Sequence, residues 1–380
     1  MEEKYLGQSI AKLGFGFMRL PSNGPAPTDI DMDQVCKMVD LFLERGFTYF
    51  DTAYVYHAGD SEVALRKALV ERHPRDSFTV ATKMPFFDLK DESDVDKFFT
   101  TSMERMGVDF FDFYLLHNLG EDRIQKAEEV HAWEYLVQKK AEGKIRHIGF
   151  STHAKPEEID EMLTKHPEAE FIQLQLNYID WESEKILARQ CYEVARRHNK
   201  PIVVMEPIKG GFLASLTPEI REIFAEAGEG NTPADMALRY CASLDGIITV
   251  LSGMSTLEQV EENTARMSNW QPLSDKEKAA IDKAVEIINS VPTIPCTRCN
   301  YCTEVCPQEI GIPTILNLKN EYEAYGHSDV VKGNYDFRLR MSPKKGKASD
   351  CIQCGACENQ CPQHIGIIAA LEECKAAFEG

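Results

Sequence analysis

Long apolar runs and positive charge are both scarce in this sequence. No stretch approaches the roughly 20 consecutive apolar residues that a membrane-spanning helix needs, and the first residues, MEEKYLGQSIAK, contain no apolar secretory segment. Acidic residues outnumber basic ones by 61 to 42, and the formal net charge of −19 argues against a general nucleic-acid-binding surface. We therefore expect a soluble, cytoplasmic protein that binds neither membranes nor nucleic acids.

The glycine pattern of a doubly wound dinucleotide-binding fold is also missing. That fold needs G-x-G-x-x-G in its first strand-to-helix turn, whereas Gly14 and Gly16 supply only G-x-G. The first 290 residues instead alternate short β-branched runs with longer helical patterns, among them a predicted helix over 124–142. Eight strands, each followed by a helix, predict an α/β fold of the (β/α)8 TIM-barrel type, with catalytic groups at the C-terminal strand ends. The predicted strands cover residues 13–18, 47–52, 78–83, 111–117, 146–151, 171–177, 202–206 and 247–252.

Cysteine is concentrated near the C-terminus, where eight of the 12 cysteines form two runs. Each run has the spacing C-x2-C-x2-C-x3-C-P, which resembles the runs of bacterial two-cluster ferredoxins. In those proteins three thiolates of one run hold a 4Fe-4S cluster and the fourth completes the other cluster. The resemblance implies two 4Fe-4S clusters, the first on Cys296, Cys299, Cys302 and Cys361 and the second on Cys351, Cys354, Cys357 and Cys306.

Two other interpretations of the cysteine runs are open. Thiolates at C-x2-C spacing also suit tetrahedral zinc, but a zinc site needs neither a third cysteine two residues further on nor a proline after a fourth. A disulfide framework is disfavoured because the thiols of cytosolic proteins stay reduced. The segment Val-Pro-Thr-Ile-Pro at 291–295 breaks the preceding helix, so we predict a barrel domain at 1–290 and a small, α-rich ferredoxin-like domain at 291–380.

Four polar residues fall at or just after neighbouring predicted strand ends. Asp51 and then Tyr56 follow the second strand, Lys83 ends the third, and His117 ends the fourth. A buried Lys83 would be held by Asp51 and would lower the pKa of Tyr56, which could then protonate the alkoxide that forms as a carbonyl accepts hydride. His117 would orient the carbonyl or share the proton. The alternative is a structural ion pair beside a core histidine, but four such residues at adjacent strand ends favour catalysis.

The segments around these residues resemble the motifs of aldo-keto reductases. They read Phe-Asp-Thr-Ala-Tyr-Val-Tyr at 50–56, Ala-Thr-Lys at 81–83 and Tyr-Leu-Leu-His at 114–117, and the similarity covers about residues 5–270. The resemblance implies that Asp51, Tyr56, Lys83 and His117 form the family's catalytic tetrad, and that a nicotinamide cofactor, NADH or NADPH, lies across the barrel mouth. The contacts to this cofactor would come from Ser151, Gln173, Met205, Ser252, Gly253, Gln259 and Asn263.

Three of these positions depart from the residues that are usual in the family. Met205 stands where an aromatic ring usually stacks on the nicotinamide. Gly253 and Gln259 replace the Lys and Arg that NADP-selective members place against the 2′-phosphate, so its charge-assisted hydrogen bonds are missing. The sequence therefore allows NADH use, with NADPH tolerated through backbone donors.

The barrel followed by a cysteine-rich module resembles the iron-sulfur-containing branch of aldo-keto reductases. It favours an oxidoreductase that reduces an aldehyde or ketone with NAD(P)H, with the clusters in electron transfer or structural support. The alternative is an iron-sulfur electron-transfer protein whose barrel is a flavin-binding or docking body, although no flavin motif is visible. Candidate partners are an electron-carrier protein and a second copy of the chain. The expected substrate is a small carbonyl compound lying near His57, Phe86, Phe87, Asn118 and Leu119.

Overall fold

The computed structural model describes residues 6, 10–24, 26–86, 89–120, 122–184, 186–296 and 298–380. Its strands are β1 (Leu13–Gly16), β2 (Tyr49–Asp51), β3 (Thr79–Met84), β4 (Phe111–Leu119), β5 (Ile145–Thr152), β6 (Phe171–Gln175), β7 (Ile202–Met205) and β8 (Ile247–Ser252). They form a closed barrel in chain order, in which β1 pairs in parallel with β8. The predicted TIM-barrel fold is therefore confirmed.

Helices follow the strands along the chain. Those up to residue 290 are α1 (Met32–Glu44), α2 (Asp60–Leu65), α3 (Glu92–Met106), α4 (Asp122–Glu129), α5 (Ala132–Ala141), α6 (Pro156–Lys165), α7 (Ala188–Arg197), α8 (Pro218–Ala227), α9 (Pro233–Ala242), α10 (Leu257–Met267) and α11 (Asp275–Ser290). The predicted single helix over 124–142 is wrong, because α4 and α5 are separated at His131. This residue has a left-handed conformation with φ of 51°, through which a right-handed helix cannot continue.

Large aromatic side chains fill the inside of the barrel. The ring centroids of Tyr49 and Phe113 are 5.2 Å apart, and those of Phe113 and Phe171 are 5.0 Å apart. Burying each such side chain contributes about 1.5–3 kcal/mol to stability. Gly149 lies directly against this packing, since a Cβ atom added there would be 2.5 Å from the Phe171 ring. Only glycine fits at residue 149 without displacing the ring.

The chain divides into two compact units. The first consists of Met1–Ile208 and Ala237–Leu273, and the second of Lys209–Met236 and Ser274–Gly380. This division assigns residues 209–236 and 274–290 to the second unit, whereas the predicted domain boundary follows residue 290. That boundary stays a prediction.

The second unit is rich in α-helix. Tyr335 and Phe378 stack within it at a centroid distance of 5.1 Å. Its helices after α11 are α12 (Tyr301–Glu304), α13 (Ile312–Ala324), α14 (Asp329–Gly333), α15 (Tyr335–Arg340), α16 (Ala356–Gln360) and α17 (Ile367–Phe378). Across the part of the chain that the structure describes, every helix is too short or too polar to cross a membrane.

Candidate active site and cysteine-lined cavities

Three neighbouring strands bring the four predicted catalytic residues together. Asp51 ends β2, Lys83 lies near the end of β3, and His117 lies near the end of β4. Because β2, β3 and β4 pair in parallel, these residues lie at the same end of the barrel. Tyr56 opens the short 3-10 turn Tyr56–Gly59 that follows β2.

Lys83 is a buried cation with an anionic partner. Its ammonium donates hydrogen bonds to Asp51 Oδ1 at 2.5 Å and to the Thr52 carbonyl oxygen at 2.6 Å, and Lys83 and Asp51 are 0% and 3% exposed. Burial disfavours the ammonium, but the Asp51 carboxylate and the Tyr56 phenol together raise the pKa of Lys83 above its ordinary value. Burial raises the pKa of Asp51, and Lys83 acts in the opposite direction. We assign an ionised pair, because either charge alone would be buried without compensation.

Tyr56 lies against this ion pair. The Lys83 Nζ atom is 5.0 Å from the centre of the Tyr56 ring, so its positive charge acts on the phenol. Although the residue is only half-buried, desolvation of its phenol raises the pKa of Tyr56, and the opposing effect of Lys83 is smaller. The expectation of a lowered Tyr56 pKa is therefore wrong: Lys83 acts to lower the pKa, but desolvation outweighs it. The phenol keeps its proton at neutral pH, and Lys83 is placed to stabilise the phenolate once the proton leaves.

His117 faces Tyr56 edge to face, with ring centroids 5.8 Å apart and an interplanar angle of 81°. Burial, together with the charges of Lys83, His153 and Arg123, lowers the pKa of His117 to about 3. The imidazole is therefore neutral near pH 7 and can donate an N–H to a substrate oxygen without adding a charge. Arg123 and His153 were missed among the predicted site residues. They follow β4 and β5, so the rule that the loops after barrel strands build the site could have found them.

The predicted nicotinamide contacts lie on the next three strands. Ser151 on β5 lies beside Gln173 on β6, and Met205 ends β7. Ser151 Oγ accepts a hydrogen bond from the Asn118 backbone N–H at 2.8 Å. Gln173 Oε1 is buried and accepts no hydrogen bond from any described residue. Because an unsatisfied buried amide oxygen is costly, an N–H from a bound carboxamide would suit it, and these residues fit a nicotinamide.

The predicted adenosine contacts gather where β8 meets α10. Ser252 ends β8, and Asn263 Nδ2 donates to Ser252 Oγ at 3.3 Å. Gln259 Oε1 accepts a hydrogen bond from the backbone N–H of Ser255 at 2.7 Å, which stabilises the loop that contains Gly253. The structure thus brings all four predicted adenosine residues to one loop and the helix that follows it.

The residues expected around the substrate do not all face one pocket. Leu119 is 1% exposed and packs in the hydrophobic core between strands and helices. His57 Nδ1 lies 2.7 Å from the Pro27 carbonyl oxygen, so that nitrogen is engaged by the protein itself. Phe86 is buried, Asn118 is half-buried, and Phe87 lies outside the described residues.

Two cavities in the second unit are each lined by four cysteines. Each cavity combines three cysteines of one run with the last cysteine of the other run. The linings include apolar side chains, such as Leu316 in the first cavity and Leu371 in the second, and amide side chains, such as Gln363 in the first and Gln353 in the second. The first cavity contains Cys296, Cys299, Cys302 and Cys361, and the second contains Cys306, Cys351, Cys354 and Cys357.

The donor sets of these cavities fit iron-sulfur clusters. Four cysteine sulfurs are the ligand set that holds a 4Fe-4S cluster. Burial and the neighbouring cysteines raise the pKa of Cys302 to about 12, and a bound cationic centre would overcome this by holding the sulfur as thiolate. The crossed arrangement of the two runs is therefore compatible with the fold.

Comparisons with known proteins agree with this architecture. Residues 12–286 match the sequence model of the Aldo/keto reductase family, and residues 295–365 match that of the 4Fe-4S dicluster domain. The barrel, the site and the match to the Aldo/keto reductase model together define an NAD(P)H-dependent oxidoreductase with a TIM-barrel fold. The chain belongs to the aldo/keto reductase family, and a 4Fe-4S dicluster domain follows its barrel.

Relatives resemble the barrel part of the chain. A probable aldo-keto reductase of Glycine max is 26% identical over 316 residues, which cover 74% of this chain and 87% of the relative. An NADH-specific methylglyoxal reductase of Escherichia coli is 26% identical over 312 residues, covering 68% and 90%. The holo structure of an aldo-keto reductase from Bacillus halodurans is similar at a TM-score of 0.60 and 26% identity, covering 74% and 96%. An aldo-keto reductase of Klebsiella pneumoniae in complex with NADPH has the same fold at a TM-score of 0.60 and 21% identity, covering 74% and 95%.

Proposed function

We propose that the protein reduces an aldehyde or ketone with NAD(P)H and that Tyr56 is the general acid. NAD(P)H, when bound, would supply a hydride to the carbonyl carbon. Neutral Tyr56 donates its proton to the carbonyl oxygen as negative charge develops there, and Lys83 stabilises the resulting phenolate. His117 donates a hydrogen bond to the same oxygen, and Asp51 holds Lys83 in position. The observation that carries this proposal is the buried Lys83 ammonium, 2.5 Å from Asp51 Oδ1 and 5.0 Å from the Tyr56 ring centre.

The proposed substrate is a small carbonyl compound. One relative, at 26% identity, is named a methylglyoxal reductase, so methylglyoxal is the first compound to assay. The same tetrad would serve other aldehydes or ketones, since it contacts only the reacting oxygen. The loops after the strands would then select among them.

Replacement of the proposed acid tests this function. Tyr56→Phe removes the proton donor and leaves the ring, so kcat/KM for methylglyoxal reduction should fall by about 10²- to 10⁴-fold, the usual worth of general acid catalysis. Tyr54→Phe is the matched control, because Tyr54 packs with Phe98 at 4.8 Å and under the Arg105 guanidinium at 4.2 Å, contacts that phenylalanine keeps. Iron content should be unchanged in both variants. Wild-type kcat/KM in Tyr56→Phe would rule out the acid assignment.

We further propose that the C-terminal domain, residues 291–380, holds two 4Fe-4S clusters with crossed ligands. The two four-cysteine cavities support this arrangement, since each draws its fourth cysteine from the opposite run. Residues 1–290 would then form the reductase domain.

Electron transfer through these clusters is the second candidate function. One cysteine at each cavity, Cys299 and Cys354, is exposed, so an edge of each cluster would be accessible to a one-electron carrier protein. Nicotinamide passes two electrons together as hydride whereas a cluster passes one, so a relay to the barrel would need a flavin or an equivalent converter. Anaerobic titration with NADH and then NADPH, followed by absorbance and low-temperature EPR, separates the roles. Cluster reduction supports the relay, and turnover of methylglyoxal with oxidised clusters supports a structural role.

A further inference from the structure

Arg19 lies beside the cofactor loop although it is 234 positions away from Gly253 in the chain. It ends the short turn Phe17–Arg19 that follows β1, and β1 is the neighbour of β8 in the closed barrel. A Cβ atom added at Gly253 would be 3.4–3.5 Å from three side-chain carbons of Arg19. The arginine side chain therefore runs through the space into which a side chain at position 253 would point.

The loop also holds the backbone of Arg19 in place. Ser255 Oγ donates a hydrogen bond to the Arg19 carbonyl oxygen at 2.7 Å, and Gln259 holds the backbone N–H of Ser255. The residue itself is exposed, and it forms no ion pair with the described part of the chain. Packing and a backbone hydrogen bond thus position the stem of the Arg19 side chain, and the exposed charge is available to a ligand.

The surrounding loop supplies no other cation. Ser252, Gln259 and Asn263 are neutral, and Glu258, the acidic residue in the first turn of α10, adds a negative charge. Arg19 is therefore the group in this loop region that could compensate a doubly charged phosphate.

We propose that Arg19 is a specificity-determining residue that binds the 2′-phosphate of NADP(H). This rests on the proposed function in one respect, namely that the adenosine end of the cofactor lies at the loop between β8 and α10. The planar guanidinium offers two parallel N–H donors, which match phosphate oxygens better than an ammonium does. NADP(H) is then the preferred cofactor, in contrast to the preference that the neutral residues 253 and 259 suggest by themselves.

Binding measured by calorimetry on the cluster-containing protein tests this inference without relying on catalysis. Wild-type protein should bind NADP⁺ more tightly than NAD⁺. Arg19→Ala should weaken NADP⁺ binding by about 10- to 100-fold, as expected for loss of a charged hydrogen bond, and change NAD⁺ binding by less than about threefold. Arg19→Lys should fall between, because the charge stays and the paired donors are lost.

Two further variants sharpen the result. Arg45→Ala is the matched control, since it removes the same charge from an exposed residue that precedes β2, at the opposite end of the barrel strands. The double variant Arg19→Ala/Gly253→Lys should regain NADP⁺ affinity, because the new lysine enters the space that the arginine side chain leaves. Recovery by this double variant would also show that the loop is folded.

The outcomes distinguish this inference from the proposed function. Selective loss of NADP⁺ binding in Arg19→Ala supports it. Equal loss for both nucleotides, or no loss for either, overturns the 2′-phosphate assignment while the reductase proposal stands. Failure of the wild-type protein to bind either nucleotide would reject both proposals.

Discussion

Removing the buried lysine should destabilise the barrel strongly, and removing its partner as well should restore most of the stability. Lys83→Met keeps the aliphatic packing of the side chain but leaves Asp51, which is 3% exposed, as an uncompensated buried carboxylate. Breaking a buried ion pair in this way costs about 3–5 kcal/mol. Lys83→Met/Asp51→Asn removes the orphaned charge and should recover most of that loss. Both variants should lack carbonyl reduction, because the tetrad is incomplete.

Urea unfolding followed by tryptophan fluorescence measures this loss of stability in the barrel, since Trp133, Trp181 and Trp270 all belong to the first unit.

The loss of stability should also depend on pH. Without Lys83 to oppose burial, the pKa of Asp51 rises further above its value of about 3.9 in the unfolded chain. The folded state then holds a proton that the unfolded state releases, so the stability of Lys83→Met falls as the pH rises above about 4. Equal losses in the single and double variants at every pH would refute the ionised pair.

Three other predictions concern pH, packing and cluster ligation. His117 has a folded pKa of about 3 against an ordinary value of 6.5, so the unfolded state gains a proton first as the pH falls. The wild-type protein should therefore lose more stability between pH 6.5 and 3 than the His117→Gln variant. An equal loss in the two proteins would contradict the lowered pKa. Gly149→Ala should destabilise the barrel by about 1–3 kcal/mol in urea unfolding through overpacking. Gly16→Ala is the control: its new Cβ would be 3.6 Å from its nearest neighbour, so stability should change by less than about 0.5 kcal/mol. Similar losses in the two variants would contradict the packing argument. The variants Cys296→Ser and Cys361→Ser should abolish the same cluster EPR signal in reduced protein. Each should also lower the iron content from about eight to about four atoms. Loss of two different signals would exclude crossed ligation.

The barrel could be predicted because the sequence patterns that indicate it are short-range. Alternating β-branched runs and helical patterns report strands and helices separated by only a few residues, and parallel strands joined by helices have few alternative architectures. Strand ends were less accurate. The predicted strand over 13–18 ends at Gly16, since Phe17–Arg19 turns away from the sheet, and the helix expected over 124–142 breaks at His131. Both breaks depend on backbone conformations that hydrophobic periodicity does not report.

The sequence by itself determined the class of the protein. Cysteine spacing, the βα alternation and the residues at three strand ends are short-range patterns, and each indicates its chemistry wherever it occurs. Only the tertiary structure decided the direction of the Tyr56 pKa, because the desolvation that raises it comes from the packing around the phenol. Barrel closure likewise decided that Arg19 lies beside Gly253, since β1 and β8 meet only after the whole sheet has formed. Patterns within a few residues reveal secondary-structure elements and motifs. Burial and contacts between distant strands determine the pKa values and the neighbours of the side chains in those motifs.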